Sequence, residues 1–225
     1  MAARSGRNPK FSHSRAGRFG TRPVETRNAL PVIAIVCDDE RTAVAYFNEI
    51  KREVRMKLTL KVVSKPKSWA SANEVVDEAI RVRAELQRDE DEGEEQRDSV
   101  WALLDLEDTD VTAGAATTAK VRAEEADVNV ALSKPCYELW SLLHLEDTGE
   151  SFADCRAVIE RLKQQWRRTF DQEFRKKAQA DYSKILSLRS EAAKRAKRHR
   201  TNNDPSWTDV YLVIEKIDTI FQYPG

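Results

Sequence analysis

Two apolar stretches that each run into a group of carboxylic acids constrain the fold of this chain more than any other feature. Residues 31–37 and 100–106 read as buried strands. The acids at or just past their ends are Asp38, Asp39, Glu40, Asp105, Glu107, Asp108 and Asp110. An ionised carboxyl group inside a hydrophobic core needs a partner or a metal. We therefore expect these acids at the carboxyl ends of the strands, where the loops of an open α/β sheet bind ligands.

Further apolar runs complete the pattern of a sheet. Residues 58–63 alternate apolar and polar side chains like a strand near an edge, and residues 128–132 form a fourth short run. Segments with helical spacing separate the four runs. This alternation predicts an α/β fold with a parallel four-stranded sheet flanked by helices on both faces.

Helix boundaries are predicted from capping residues and breaks. Thr42 and Ser71 are expected to cap the first two helices, and a third helix is expected around residues 119–126. Beyond residue 151 the chain reads as helical almost throughout. The predictions there are an amphipathic helix containing Val158, Leu162 and Trp166, a long basic helix over 172–200, and a last helix capped by Thr208 or Asp209.

Charge is strongly segregated although the 225 residues have a formal net charge of +0. Residues 1–27 and 161–200 are basic, whereas residues 85–98 are acidic. We expect a flexible basic arm over 1–27, an α/β core over 28–148 and a helical region over 149–225. No apolar stretch reaches the roughly 20 residues that cross a bilayer, and no secretory signal is recognisable. This favours a cytoplasmic protein with no membrane partner and with reduced cysteines at positions 37, 136 and 155.

The acids have the chemistry of a site for a hard cation. Mg²⁺ or Mn²⁺ binds oxygen ligands, and two or three carboxylates from different loops suffice. Such an ion would bind a phosphodiester and activate a water. The candidate metal ligands are Asp38, Asp105, Glu107 and Asp108. Asp38 faces the other three only if the first and third strands are neighbours in the sheet. In the alternative interpretation there is no metal, and these acids cap helix N-termini and solubilise the edge of the sheet.

Two residues of the segment YELWSLLHL, 137–145, have two interpretations each. Glu138 either complements the dipole of its helix or points back to the acidic pocket. His144, among leucines, is expected to be a hydrogen-bonded structural histidine rather than a catalyst.

Several segments resemble the RloB-like family of bacterial proteins. The family's Cys-Glu-Gly-Glu-Lys-Thr-Glu motif and Tyr-Phe pair correspond to CDDERTA at 37–43 and to Tyr46-Phe47. Its Asp-x-Asp corresponds to Asp105-Leu106-Glu107, and Ser-Asn-Pro-Cys-Phe-Glu-Leu-Trp-x-Leu-Leu-His corresponds to SKPCYELWSLLH at 133–144. The family's Asn-Pro-Ser segment near the C-terminal end corresponds to Asp204-Pro205-Ser206. The resemblance covers roughly residues 31–220.

The resemblance implies a TOPRIM-type core and a Mg²⁺-dependent nuclease of bacterial anti-phage defence. It implies an AAA- or ABC-type ATPase encoded nearby as a gating partner, and RNA such as tRNA as substrate in preference to DNA. The sequence leaves a homo-oligomer open. Asp38 would do acid–base work beside the metal. The implied catalytic residues are Asp38, Glu40, Asp105, Glu107 and Glu138. The implied nucleic-acid contacts are Arg41, Lys134, Arg167, Arg168, Lys176 and Lys177.

Two alternatives remain. The first is a catalytically degenerate subunit of an ATPase-containing complex, which would share every feature of the fold. The departures from the family pattern at Asp38, Asp39 and Glu107 leave this alternative open. A phosphoryl-accepting receiver domain also has paired acids, an acceptor aspartate and a Lys-Pro, here Lys134-Pro135. The spacing opposes a receiver, because only one helical unit separates Asp105 from Lys134.

Overall fold

A computed structural model describes residues 30–37, 41–64, 71–89, 98–106, 110–176 and 179–222, with the side chains of 110–113 and 179–180 outside the description. The fold is a mixed α/β fold. The described strands lie in one sheet, in the order β2-β1-β3-β4-β5. Their bounds are β1 Val32–Cys37, β2 Thr59–Ser64, β3 Ser99–Asp105, β4 Asn129–Lys134 and β5 Trp207–Thr208.

The first four strands confirm the sequence-based prediction of a parallel sheet. β1 lies between β2 and β3, and β3 pairs with β4, all in parallel. The predicted edge strand over 58–63 is indeed at one edge, as β2. β1 and β3 are rich in β-branched and other apolar residues because both of their faces are covered.

The predicted number of strands is wrong, because a fifth strand lies beside β4. β5 runs antiparallel to β4, with Ser133 opposite Thr208 and Lys134 opposite Trp207. The hydroxyl oxygens of Ser133 and Thr208 are 2.7 Å apart and buried. A strand of two residues has no periodic pattern to detect, so only the tertiary structure reveals it.

Three helices connect the parallel strands: α1 Thr42–Val54, α2 Ala72–Asp89 and α3 Asp110–Glu125. Ser71 directly precedes α2, as predicted, and its hydroxyl donates to Glu74. Thr42 is not a cap: it is the first residue of α1, Arg41 occupies the N-cap position, and the Thr42 hydroxyl donates to Glu138 instead.

α3 begins well before the predicted start at residue 119. Its buried side chains are small, namely Ala116, Ala119 and Ala123. Alanine favours a helix but gives almost no amphipathic contrast with the neighbouring Thr and Gly. The first half of the helix therefore reads as a loop in the sequence.

The two faces of the sheet carry separate apolar cores. Along β1, Ala34 and Val36 point to the face covered by α2 and α3, and Ile33, Ile35 and Cys37 point to the opposite face. That opposite face is covered by α1 together with helices from the rest of the chain. These helices are α4 Glu138–Leu145, α5 Cys155–Phe170, α6 Gln179–Ser183, α7 Arg189–Asn202 and α8 Val210–Gln222.

The predicted long basic helix over 172–200 is wrong, because the segment is broken. α5 ends where Asp171 adopts a left-handed conformation with φ 53°. Residues 172–176 are not helical, and α6, a 3₁₀ turn at Leu186–Leu188, and α7 come later in the chain. Phe174, Tyr182 and Ile185, which lie around these breaks, are all buried in the core. Tertiary packing here overrides helix propensity.

The segment after residue 149 and the preceding core share one hydrophobic cluster and one sheet. Trp140 of α4 and Trp166 of α5 are both fully buried in that cluster, and β5 extends the sheet that begins with β1. Among the described residues, no helix combines the length and apolar composition needed to cross a bilayer.

Candidate functional site at the carboxyl end of the sheet

The neighbouring strands β1 and β3 define the candidate site. They are parallel, with Cys37 opposite Leu103, so their carboxyl ends leave the sheet at the same edge. This confirms the condition on which a shared acidic pocket depends. Of the predicted metal ligands, Asp38, Glu107 and Asp108 lie outside the described residues, and so do Asp39 and the catalytic candidate Glu40.

Asp105, the last residue of β3, is the described member of the predicted pocket. Its side chain is partly buried, and Oδ1 accepts a hydrogen bond of 2.9 Å from the backbone N–H of Tyr137, just before α4. The next residue, Leu106, donates its N–H to the Ser133 carbonyl of β4. These two bonds fix the end of β3 against the start of α4, so the carboxyl group of Asp105 is held at the sheet edge.

Glu138, in the first turn of α4, is only 5% exposed. Oε1 accepts a 3.0 Å hydrogen bond from the Thr42 hydroxyl and lies 2.5 Å from Nζ of Lys176. Oε2 lies 3.3 Å from Sγ of Cys155. The side chain thus links α1, α4, α5 and the segment after α5. A buried carboxylate with a cationic and a hydroxyl partner satisfies the condition for keeping a charge inside a protein.

The expectation that all cysteines are reduced is wrong for one pair. Cys136 and Cys155 form a disulfide, with their Cα atoms 5.5 Å apart. α4 and α5 pack against each other, and this brings Cys136, two residues before α4, next to Cys155, the first residue of α5. The sequence separation of 19 gives no local signal for this contact. Cys37, at the end of β1 as predicted, is buried and is not part of this disulfide.

The predicted nucleic-acid contacts divide into two groups. Arg41, before α1, and Lys134, the last residue of β4, lie at the carboxyl edge of the sheet, and Lys176 joins them through its ion pair with Glu138. Arg167 and Arg168 are exposed in the last turn of α5, where the Arg167 guanidinium pairs with Glu173. Lys177 lies outside the described residues.

His144 is a structural residue, as predicted. It is 2% exposed, its Nδ1 lies 2.8 Å from the Trp140 carbonyl, and its Nε2 lies 3.1 Å from the Tyr46 hydroxyl. Burial lowers its pKa to about 4, despite the opposing effect of the Trp140 carbonyl. The side chain is therefore neutral near pH 7 and turned into the core rather than towards the sheet edge.

Sequence reasoning found Asp105 and Glu138 but missed Thr42, Cys155 and the pairing of Lys176 with Glu138. These contacts join residues far apart in the chain, and no spacing rule connects them. The family motif around Pro135 was the available signal, since it contains Cys136 and Glu138.

Comparison with known proteins gives one match. The model of a family described as "RloB-like protein" matches residues 33–217, which is most of the chain. No curated protein and no solved structure matches.

Proposed function

Because the chain belongs to the RloB-like family, we propose that it is a divalent-cation-dependent nuclease with a TOPRIM-type core. The observation that carries the proposal is the parallel pairing of β1 and β3, since the acid-rich continuations of both strands leave the sheet at one edge. Carboxylates from two loops are suitable ligands for Mg²⁺ or Mn²⁺. The position of Asp105 at that edge fits this donor set.

Asp38, Asp105, Glu107 and Asp108 would hold the cation, with Glu40 beside them. When bound, the cation would polarise a phosphodiester and lower the pKa of an attacking water. Asp105 takes part as an oriented ligand, because its bond to the Tyr137 N–H fixes the rotation of the carboxyl group. Asp38 would accept or deliver the proton of the reacting water.

Glu138 has a supporting role in this proposal. Its charge is balanced by Lys176, and its bond to Thr42 ties the start of α1 to the start of α4. Both helices begin at the sheet edge, so Glu138 would position the loops that carry the acids. Unlike Asp105, it would act through other residues rather than on the substrate.

The substrate in this proposal is RNA, in preference to DNA. Arg41 and Lys134 flank the sheet edge and would contact phosphates. Arg167 and Arg168 would extend the contact surface, because an exposed ion pair such as Arg167–Glu173 costs little to exchange for a phosphate. The biological role would be that of a toxic effector in anti-phage defence, gated by a partner ATPase.

The decisive experiment compares two aspartates at opposite ends of the same strand. Asp98 directly precedes β3 and accepts the N–H of Val32 at 2.7 Å, and Asp105, the last residue of β3, accepts the N–H of Tyr137 at 2.9 Å. Asn preserves an acceptor oxygen at either position but removes the charge. Asp105→Asn is expected to lower Mg²⁺-dependent cleavage of an RNA pool by roughly 100-fold or more, whereas Asp98→Asn retains the wild-type rate.

The assay uses the full chain, alone and with its partner ATPase, on RNA and DNA pools with Mg²⁺, Mn²⁺ or EDTA. Equal rates for the two variants, or no divalent-dependent cleavage by the wild type in either setting, would remove the nuclease assignment. No divalent-dependent cleavage by the wild type would favour a degenerate binding subunit. The departures from the family motifs at Asp38, Asp39 and Glu107 are consistent with that alternative. Labelling of Asp105 by acetyl phosphate would instead identify a receiver.

A further inference from the structure

A second group of potential metal ligands lies beside the acidic edge and has a different chemistry. It consists of Cys136, Glu138 and Cys155, and one ligand atom from each lies within 4.8 Å of the others. Cys136 is 1% exposed and Cys155 is partly exposed. We call these three residues the Cys–Glu–Cys cluster. Two sulfurs and one oxygen form a soft donor set, which Mg²⁺ does not prefer but Zn²⁺ does.

The carboxylate of the cluster is oriented as in a metal site. Oε1 of Glu138 already accepts the Thr42 hydroxyl and pairs with Lys176. Oε2 is the oxygen turned towards the sulfur atoms, 3.3 Å from Sγ of Cys155. Metal ligands in proteins are commonly fixed in this way by hydrogen bonds from an outer shell. Thr42 and Lys176 supply that shell here.

When both cysteines are deprotonated, the charges of the cluster match a divalent cation. Two thiolates and one carboxylate carry three negative charges, and Lys176 compensates one of them. A divalent ion would neutralise the remaining two. Three protein ligands leave a fourth tetrahedral position for water, which the partly exposed side of Cys155 can admit.

From these observations we propose that the reduced Cys–Glu–Cys cluster is a Zn²⁺ site, and that the Cys136–Cys155 disulfide is its oxidised, metal-free state. The two states exclude each other, because a sulfur in a disulfide has no thiolate charge to donate. At a Zn–S distance of about 2.3 Å, the two sulfur atoms of a tetrahedral site stand roughly 3.8 Å apart. Rotation of Cys155, the first residue of α5, supplies that separation.

The conversion between the states balances with a thiol and its disulfide. Two molecules of a small thiol reduce the Cys136–Cys155 bond by exchange, giving two cysteine thiols and one small-molecule disulfide. Zn²⁺ then displaces the two thiol protons into solvent. In the reverse direction, a disulfide such as oxidised glutathione accepts the two electrons, the protein disulfide forms and Zn²⁺ is released. Cys136 and Cys155 take no part in the proposed nuclease function, and Glu138 has only a supporting role there, so the zinc site can be tested without a cleavage assay.

The test is a zinc titration of the full chain. The protein is reduced with a phosphine under anaerobic conditions and titrated with Zn²⁺ in competition with a chromophoric chelator. One equivalent is expected to bind to the reduced wild type and none to the oxidised wild type. Cys155→Ser and Glu138→Gln are each expected to weaken binding, the former by at least about 100-fold. Cys37→Ser, which alters the buried cysteine of β1 outside the cluster, is the matched control and retains wild-type affinity.

Cobalt substitution provides a second readout. Co²⁺ bound by the reduced wild type is expected to give thiolate-to-metal charge-transfer absorption that Cys155→Ser weakens and Cys136→Ser/Cys155→Ser abolishes. Circular dichroism of each metal-free variant checks the fold. Tight zinc binding that survives the double substitution, equal binding by oxidised protein, or no binding to folded, reduced wild type would each overturn the proposal. None of these results depends on nuclease activity, so the two proposals fail separately.

Discussion

At the scale of single residues, the buried pair of His144 and Tyr46 shows how the core fixes a protonation state. A carbonyl only accepts, so the Nδ1 of His144 that faces the Trp140 carbonyl must carry the proton. Nε2 is then the acceptor for the Tyr46 hydroxyl. Burial is the main cause of both pKa shifts, lowering that of His144 to about 4 and raising that of Tyr46. Both groups are neutral at pH 7.

This pair predicts a loss of stability in mild acid. An unfolded histidine takes up a proton near pH 6.5, whereas His144 in the folded protein does so only near pH 4. Between these values the unfolded state binds more protons, so the free energy of unfolding falls as the pH falls. From pH 6.5 to pH 5 His144 contributes a decrease of about 1.5 kcal/mol. Urea unfolding of the wild type and of His144→Gln across this range measures it.

The contribution of His144 is obtained by comparing how the free energy of unfolding depends on pH in the wild type and in His144→Gln. His144→Gln is less stable than the wild type at pH 7, because it loses the fit to Trp140 and Tyr46, but its stability should depend less on pH. Carboxylates titrate similarly in both proteins and cancel in the difference. Parallel curves for the two proteins would show that His144 does not have the lowered pKa described above.

At the scale of elements, Arg189 joins three helices. It begins α7, and its guanidinium contacts Glu53 of α1 at 2.6 Å and Asp218 of α8 at 3.1 Å. Its side chain is 16% exposed. Burial acts to lower its pKa, but the hydrogen bond to Glu53 and the charge of Asp218 outweigh it, and the pKa is raised. The charged form is thus a fixed part of the helix packing.

Removing this charge is expected to destabilise the helix assembly. Arg189→Gln leaves Glu53 and Asp218 facing each other without a cation, and we expect the free energy of unfolding to fall by about 2 kcal/mol. The matched control is Lys194→Gln on the same helix, where an exposed pair with Glu191 at 3.7 Å is broken instead. That change should cost less than about 0.5 kcal/mol. Similar losses for the two variants in denaturant unfolding would contradict the assignment.

The elements that sequence could predict are those with a strong local pattern. β1 to β4, α1 and α2 follow from apolar runs and helical spacing. β5 is too short to have a periodic pattern. The buried face of α3 consists of alanines, which give little hydrophobic contrast with the rest of the helix. The segment 172–188 has good helix propensity along most of its length, yet α5 ends at Phe170 and α7 begins only at Arg189. Only packing energies of the whole core determine that choice.

The residues of the candidate site could be predicted only where a local sequence signal marks them. Acids after two apolar runs indicated which strand ends to examine, and the motif around Pro135 indicated Glu138. The disulfide and the contacts of Glu138 with Thr42 and Lys176 were not predictable. Each joins residues that only the packing of α1, α4 and α5 brings together.

At the scale of the whole molecule, the last described segment completes both the sheet and the core. β5 pairs with β4, and Val213, Ile214 and Ile217 of α8 are buried in the cluster that contains Ile33 and Ile35 of β1. The segment after residue 149 therefore shares its stabilising contacts with the rest of the chain, and we expect the two to unfold together.

Truncation tests this shared stability. Removal of residues 206–225 takes away β5 and α8, and exposes the apolar surface that they cover, so the shortened chain should fail to fold. Removal of only residues 223–225, beyond α8, is the control and should leave the thermal transition unchanged. A soluble, cooperatively unfolding chain that ends at residue 205 would show that the α/β part is stable by itself. Calorimetry and near-ultraviolet circular dichroism distinguish these outcomes.

The unequal covering of the two sheet faces has a consequence for synthesis on the ribosome. Helices α2 and α3 lie between β2 and β4 in the chain, so their face can close as soon as β4 has emerged. The face with Ile33 and Ile35 waits for Trp166, Tyr182 and Ile214, which are translated later. A nascent chain paused before α8 therefore presents an open apolar surface, a suitable target for a holding chaperone and a starting point for aggregation.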